Sequence, residues 1–269
     1  MSRFYDPATS PPERFDSLEL WPNYDEVSAD KQCVRMGLLP SVTTVLDAVR
    51  SPYLERWFIG EGIEEFKVNG GKKKEAVDHI YDRESTNAQF GTDCHEVMEA
   101  VMKGEPIPDV SEEVMKHSAP LIAWIKENVK ETLFCEQTMA SKKVGAAGTV
   151  DMVFTHKNGR RVVGDLKVVK FSWKFPPKPD IKYKMQLSAY EGMIQELRPD
   201  DYTRMSFYLA SPFGQEKIPV LKTFEHTKCY LDAFLAARVL WENTLLQEMP
   251  KPMEGCELVE TFDPAKYRK

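Results

Sequence analysis

The stretch VVGDLKVV, residues 162–169, sets two opposite charges inside a run that is otherwise apolar. If the run is a strand, side chains alternate between the two faces of the sheet, so Asp165 and Lys167 share one face and Leu166 occupies the other. An unpaired buried charge costs several kcal/mol. The pair is therefore expected to form a simple salt bridge, to lie in a cleft, or to be neutralised by a bound group such as a metal.

A strand-rich segment surrounds this stretch. Strand-like runs cover 133–140, 148–155 and 161–169, and Asn158-Gly159 predicts a hairpin turn between the second and the third. A helix is predicted over 182–196, strands over 203–210 and 217–223, and a long helix over 227–247. This order predicts one α/β domain wrapped by extra helices.

The chain before this segment is predicted to be helical. Ser41 is a predicted N-cap, and a Ser-Pro pair at 51–52 predicts the end of that helix. Another helix is expected to begin near Gly91 or Thr92 and to end at Gly104, and a further one covers 111–130.

These elements divide the chain into three parts. An N-terminal arm or irregular cap is predicted over 1–40, a single domain over 41–248 and a C-terminal tail over 249–269. Within the domain we expect a helical part over 41–130, the sheet over 131–225 and a long helix over 226–248.

The composition is that of a globular protein. At 269 residues and 42% hydrophobic content the chain can bury a sizeable core. No run approaches the roughly 18 apolar residues of a membrane helix, and the N-terminus lacks an apolar signal-peptide core. We therefore expect a cytoplasmic protein without membrane partners. The five cysteines show no CxxC spacing, which predicts reduced thiols that mostly serve packing.

The charge is unevenly distributed along the sequence. Residues 141–190 hold nine lysines, two arginines and three aspartates, a net charge of +8, so with −6 for the whole chain the remainder carries −14. A basic segment on an acidic body is typical of a focused polyanion-binding site. The alternative is a set of solvated loops.

A second embedded aspartate lies in the preceding strand-like run. Asp151, in GTVDMVF, stands fourteen residues before Asp165, across the predicted hairpin. Adjacent hairpin strands could bring the two carboxylates within reach of one divalent cation, and hard oxygen ligands suit Mg²⁺ or Mn²⁺. With Lys167 beside them to stabilise phosphate charge, the group is a candidate phosphodiester hydrolase site.

Asp151 followed by Asp165-Leu166-Lys167 resembles the PD-(D/E)xK nuclease superfamily. Three further features resemble its RecB-like exonuclease branch, in a phage-type form. GTDCHEVME (91–99) matches a G-x-x-x-H-x-x-x-E helix, LFCEQTM (133–139) places a glutamate on the preceding strand, and QLSAY (186–190) matches a QxxxY helix. The resemblance implies an α/β fold with a restriction-endonuclease-like core of order α-β-β-β-α-β. Its mixed central sheet would be flanked by helices, with additional N-terminal and C-terminal helices.

The resemblance also implies roles for particular residues. Asp151 and Asp165 would be catalytic metal ligands, with His95 and the Leu166 carbonyl completing the protein side. Lys167 would be the catalytic lysine. The cofactor implied is Mg²⁺ or Mn²⁺.

Four other residues receive supporting roles by the same resemblance. Gln186 and Tyr190 are counted with the catalytic residues, because they would orient the lysine or the DNA backbone. Glu99 and Glu136 are candidates for contacts around the ligands or for a second metal. Some relatives hold an iron–sulfur cluster, and none is expected here because correctly placed cysteines are missing.

The segment after Lys167 interleaves aromatic and basic residues, the ingredients of single-strand or frayed-end binding. Its aromatic residues are Phe171, Trp173, Phe175 and Tyr183. The predicted nucleic-acid-binding residues are Lys142, Lys143, Lys170, Trp173, Lys174, Lys182 and Lys184. Packing of Trp173 and Phe175 under the loop is the alternative.

Together these features predict a metal-dependent DNA exonuclease that acts in recombination, repair or phage DNA processing. The expected partner is DNA at ends or in single-stranded segments, together with a recombination or single-strand-annealing protein. Two alternatives stay open: a structure-specific or restriction-like endonuclease, and a non-catalytic DNA-binding homologue. No G-x-S-x-G elbow, P-loop or dinucleotide fingerprint is present, which disfavours an α/β-hydrolase fold and a nucleotide-binding domain.

Overall fold

The computed structural model of the chain describes residues 2–49, 63–64, 66–68, 73–170, 180–213 and 218–247. The elements of the first half are β1 (Arg3–Asp6), β2 (Glu13–Asp16), α1 (Ser17–Leu20), α2 (Glu26–Arg35), β3 (Leu39–Pro40), α3 (Val42–Leu46), α4 (Lys73–Lys103) and α5 (Glu112–Asn128). Those of the second half are β4 (Val129–Ser141), β5 (Ala146–His156), β6 (Arg161–Lys170), α6 (Ile181–Leu197), β7 (Tyr202–Ser211), β8 (Leu221–His226) and α7 (Leu231–Gln247).

The main sheet has five strands in the order β4-β5-β6-β7-β8. Strands β6 and β7 are parallel, because helix α6 carries the chain back between them, and the other neighbours are antiparallel. The predicted α/β fold with a mixed sheet flanked by helices is confirmed. The stretch VVGDLKVV lies in β6, the central strand.

Alternate residues of β6 pack into different cores. Val162 and Leu166 are buried with Phe207 beneath helices α4 and α5. Val163 is buried on the opposite face, in the core that includes residues of α6 such as Leu187. Because of this alternation, Asp165 and Lys167 belong to the face that α6 covers.

The predicted hairpin between β5 and β6 is confirmed. The two strands pair antiparallel, and Gly159 takes a positive φ of 88° at the turn. The Asn158 side chain supports the turn by accepting a hydrogen bond from the Arg160 backbone N–H at 3.1 Å. The turn therefore sets the register in which Asp151 and Asp165 approach each other.

Two helix starts agree with the sequence and one does not. Ser41 and Ser111 are N-caps whose side chains accept backbone N–H groups, as predicted. A helix start near Gly91 or Thr92 was wrong, because α4 runs unbroken from Lys73–Lys103. The Thr92 hydroxyl donates to the Ala88 carbonyl one turn back instead of capping a new helix, and the apolar face of α4 keeps the helix continuous.

Residues 1–40, interpreted from the sequence as an arm or irregular cap, contain regular helices and strands. Strands β2, β1 and β3 form a small antiparallel sheet, and α2 is capped by Asp25. Phe4 and Cys33 are fully buried with Trp241 of α7. These elements are too short for periodicity to reveal, and burial against a distant helix stabilises them.

The strand predicted over 217–223 lies further along, at Leu221–His226. Pro219 explains the shift, since it has no N–H to give to a ladder. The last helix correspondingly begins at Leu231. The break at 51–52 and the tail 249–269 lie outside the described residues.

Three of the cysteines, Cys33, Cys94 and Cys135, are buried, and Cys229 is exposed. The buried thiols belong to the hydrophobic clusters, in agreement with their predicted packing role. None of the described helices combines the length and the apolar character needed to cross a membrane.

Gly164 gives a stability test of the central packing. A Cβ at Gly164 would lie 2.6 Å from Met152 Cγ and 2.9 Å from Phe207 Cε2, whereas one at Gly91 would lie 4.0 Å from Val168 Cβ. We expect Gly164→Ala to lower the free energy of unfolding by about 1–3 kcal/mol through overpacking. Gly91→Ala should raise it by about 0.5–1 kcal/mol through helix propensity. Urea unfolding of both variants measures this, and equal midpoints would contradict it.

Candidate functional site

The site begins where the ladder between β5 and β6 opens. The last pair of that ladder is Met152 with Gly164, so the next residues along, Asp151 and Asp165, have separated backbones. The Asp151 carboxylate fills the gap, because its Oδ2 accepts the Leu166 backbone N–H at 2.7 Å. Asp151 is therefore held by the backbone of the strand that carries Asp165 and Lys167.

The opposite charges of the opening stretch form an ion pair. Lys167 Nζ donates to Asp165 Oδ1 at 2.7 Å, and Asp165 is only 1% exposed. The other carboxylate oxygen, Oδ2, is buried without a hydrogen-bond partner among the described residues. A simple salt bridge thus satisfies half of this carboxylate and leaves one oxygen available to a further ligand.

The protonation of the pair follows from burial and from neighbouring charge. Burial, together with the nearby negative charge of Asp151, raises the pKa of Asp165 to about 6 against the attraction of Lys167. Burial also raises the pKa of Asp151. For Lys167, burial alone would lower the pKa, but the two carboxylates outweigh it and raise the pKa, so the ammonium keeps its proton.

His95 of α4 reaches the same place from the other side. Its Nδ1 lies 3.1 Å from Glu136 Oε1 and 3.9 Å from Asp151 Oδ2. Burial would lower the pKa of the imidazole, but the hydrogen bond with Glu136 and the charge of Asp151 raise it. One atom each from His95, Glu136 and Asp151 lies within 4.8 Å of the others, so the three could hold one metal ion.

Glu136 reaches the cluster through an unusual backbone. Its φ is +47°, the single positive value among the described non-glycine residues. In β4, Cys135 pairs with Met152 and Gln137 with Val150, so Glu136 stands opposite Asp151. A left-handed glutamate inside a strand costs about 1–3 kcal/mol and is typical of functional sites. Nothing in the residues around Glu136 signals this conformation.

Gln186 and Tyr190 bring α6 to the site, as their spacing suggested. Both are buried, and the Tyr190 hydroxyl lies 3.0 Å from the position of a Cβ on Gly148, three residues before Asp151. Burial and the charge of Asp151 raise the pKa of Tyr190 against the effect of a hydrogen bond with Gln186. Glycine at 148 allows this close approach.

Tyr183, on the first turns of α6, supports Lys167. The Lys167 ammonium lies 5.1 Å from the centre of the Tyr183 ring, a cation–π contact. The ring of Tyr208 lies 6.4 Å from that of Tyr183. The sequence had placed Tyr183 among the base-stacking aromatics, and the structure places it beside the lysine.

The structure does not bring Glu99 into this cluster. Its carboxylate pairs with Lys103 one turn further along α4, on the helix surface. Spacing of four residues puts Glu99 on the same helix face as His95, but one turn further along α4, beyond the group of candidate ligands. Glu136 occupies the position beside His95 instead.

The predicted nucleic-acid-binding lysines lie outside the cluster. Lys142 and Lys143 are exposed in the turn between β4 and β5. Lys170 is partly buried at the end of β6. Trp173 and Lys174 fall outside the described residues.

The two lysines at the start of α6 are partly exposed. Lys182 follows the N-cap Asp180, and the Lys184 ammonium lies 5.8 Å from the centre of the Tyr230 ring. Both remain predictions as nucleic-acid contacts.

A cleft of about 400 Å³ opens between α4 and β6 beside the cluster. Its described lining consists of Asn87, Ala88, Gly91, Thr92, His95, Glu136, Leu166, Lys167 and Val168. Sequence reasoning missed Asn87, although Asn87, Gly91 and His95 follow one another at intervals of four residues on one helix face.

No sequence profile of a known protein family matches the chain, and no curated protein sequence matches it.

Proposed function

We propose that the protein is a metal-dependent nuclease of the PD-(D/E)xK superfamily, in the RecB-like exonuclease branch, which hydrolyses phosphodiester bonds of DNA. The observation that carries the proposal is the convergence of His95, Glu136 and Asp151 within 4.8 Å, beside the Asp165–Lys167 pair. The element order α5-β4-β5-β6-α6-β7 is the α-β-β-β-α-β order expected for that core.

The residues present fit a divalent cation. Carboxylates dominate the donor set, as Mg²⁺ and Mn²⁺ require, and the unpartnered buried Oδ2 of Asp165 gives the set one more oxygen. His95, Glu136, Asp151 and Asp165 would hold the ion. When bound, such an ion supplies Lewis acidity toward a phosphate oxygen and toward water.

The chain itself supplies the other parts of a hydrolytic site. The Lys167 ammonium, held by Asp165 and backed by the Tyr183 ring, places a fixed positive charge where negative charge develops on a phosphate. The backbone N–H of Leu166 fixes the position of Asp151, and Tyr190 of α6, hydrogen-bonded to Gln186, lies close enough to feel the charge of Asp151. Such a preorganised arrangement needs little rearrangement when substrate arrives.

Exonuclease action on DNA is the form of this activity that we favour. The cleft is small, Lys167 lines it, and the basic segment 141–190 of the sequence supplies charge for a nucleic-acid backbone. Recombination, repair or phage DNA processing is the proposed setting, with a single-strand-annealing protein as the proposed partner.

Digestion of labelled DNA tests the proposal. Purified protein is incubated with end-labelled linear and closed circular DNA, single- and double-stranded, with Mg²⁺, Mn²⁺ or EDTA. Loss of linear but not circular substrate, only with metal, is the expected result, and the label released gives the polarity. Cutting of circles would replace the exonuclease by an endonuclease. Binding without cleavage of any DNA or RNA would indicate a non-catalytic homologue.

A further inference from the structure

Asn87 occupies the far end of the cleft wall that α4 forms. It lies eight residues before His95 on the same helix face, with Gly91 between them. Eight residues correspond to about 12 Å along a helix. The residues between, Ala88 and Gly91, are small, so the wall leaves room for a chain to run from Asn87 to the catalytic cluster.

Both polar atoms of the Asn87 amide lack a hydrogen-bond partner among the described residues. Its Oδ1 and its Nδ2 are both buried. Most buried polar side-chain atoms in folded proteins are hydrogen-bonded, so an amide with neither atom paired is unusual. Because Asn87 lines the cleft, a rotation of its side chain would bring the amide to a ligand there, which would supply the missing partners.

The chemistry of the amide restricts that ligand. Oδ1 needs a donor and Nδ2 needs an acceptor, whereas a phosphodiester offers acceptors alone. A nucleobase edge offers both, and it does so freely only when the base is unpaired. The cleft, at about 400 Å³, has the size of a pocket for one small ligand rather than for a duplex.

We infer that Asn87 binds the base edge of an unpaired nucleotide in a strand whose scissile phosphate lies at the His95–Asp151 cluster. The inference rests on the proposed function and adds to it a substrate class, single-stranded nucleic acid read by a base contact. Asn87 is a binding residue in this scheme and takes no part in the chemical step.

Substitution of Asn87 gives an unusual combination of effects. Asn87→Ala should raise the KM for single-stranded DNA about tenfold and leave kcat within about twofold, because the contact is equal in ground and transition states. The Tm should stay unchanged or rise by about 2 °C, since an unsatisfied buried amide is removed. Asn87→Leu keeps the side-chain volume and should behave in the same way.

Gln89→Ala is the matched control. Gln89 is exposed two residues further along α4, where its amide donates to Asp93 Oδ1 at 2.7 Å. Its replacement should alter neither KM nor the binding of an oligonucleotide.

Abasic DNA separates a contact with the base from a contact with the sugar or the phosphate. Binding of labelled oligothymidylate, of an oligonucleotide of abasic residues and of oligouridylate is measured by anisotropy in EDTA. The wild type should bind oligothymidylate about tenfold more tightly than Asn87→Ala does, and the two proteins should bind abasic DNA equally tightly. Tighter binding by the wild type on RNA alone would overturn the base contact in favour of a ribose 2′-hydroxyl contact.

The remaining outcomes distinguish the inference from the proposed function. Unchanged KM and binding in both Asn87 variants, with cleavage intact in the wild type, would overturn the inference alone. A Tm lowered by several degrees in both variants would show a structural amide and overturn it as well. Base-dependent binding through Asn87 without any cleavage would overturn the nuclease proposal and leave the binding site standing.

Discussion

Asp165→Ala is expected to lower metal-dependent cleavage by about 10³-fold or more. The substitution removes the buried carboxylate that holds the Lys167 ammonium at 2.7 Å, and with it the unpartnered Oδ2 that would complete the ligand set. Initial rates on end-labelled DNA with Mg²⁺ and with Mn²⁺ measure the loss. Asp201→Ala serves as the control, because Asp201 is exposed beyond α6. Residual activity above a tenth of wild type would contradict the role given to Asp165.

The same variant should become more stable relative to the wild type as pH rises. The pKa of Asp165 is raised from an ordinary 3.8 to about 6, first by burial, so ionising the carboxyl in the folded protein is unfavourable. That cost, on the order of 3 kcal/mol when complete, is absent below pH about 3.8 and fully present above pH about 6. The alanine variant never incurs it.

Urea unfolding in EDTA at pH 4 and at pH 8 measures this difference. The wild-type free energy of unfolding minus that of Asp165→Ala should fall between the two pH values. Loss of the counter-ion of Lys167 affects both measurements, so the change with pH reports on the Asp165 carboxyl together with its effect on Asp151. A difference that increased toward pH 8 would show that ionised Asp165 stabilises the fold.

The sequence located the strand part of the central cluster because local rules act there. Alternation in a strand placed Asp165 and Lys167 on one face, and the Asn158-Gly159 turn set the register that brings Asp151 close. These two steps need a few neighbouring residues and no knowledge of the whole fold, whereas His95 came from the resemblance of its helix to a family motif.

Features that depend on long-range packing escaped prediction. Glu136 reaches His95 through a left-handed backbone that surrounding strands impose, and Phe4 joins a core with Trp241 from the far end of the chain. Gly91 suggested a helix start, yet packing of α4 against the sheet keeps the helix continuous. Asn87 carries no motif, and only the missing hydrogen bonds of its buried amide draw attention to it.

A divalent cation is expected to raise the Tm of the wild-type protein by roughly 5–10 °C. Bound at a free concentration one hundred times its Kd, an ion adds about 2.7 kcal/mol to the free energy of unfolding, and for a chain of this size each kcal/mol shifts the Tm by about 2–4 °C. The negative charges of Glu136, Asp151 and Asp165 supply the attraction, since their mutual repulsion is relieved by a cation.

Asp151→Asn tests whether this stabilisation arises at the proposed site. The asparagine Oδ1 can still accept the Leu166 N–H, so the local backbone is kept while a ligand charge is lost. In EDTA the variant should melt at or above the wild-type temperature, but the shift with Mg²⁺ or Mn²⁺ should fall below about 2 °C. Glu225→Gln changes an exposed carboxylate of β8 that pairs with Arg160, and this variant should keep the full shift. Equal shifts in both variants would place the bound ion elsewhere. No shift of the wild-type Tm at 10 mM metal, a concentration roughly one hundred times a Kd of 0.1 mM, would remove the metal from the proposed mechanism.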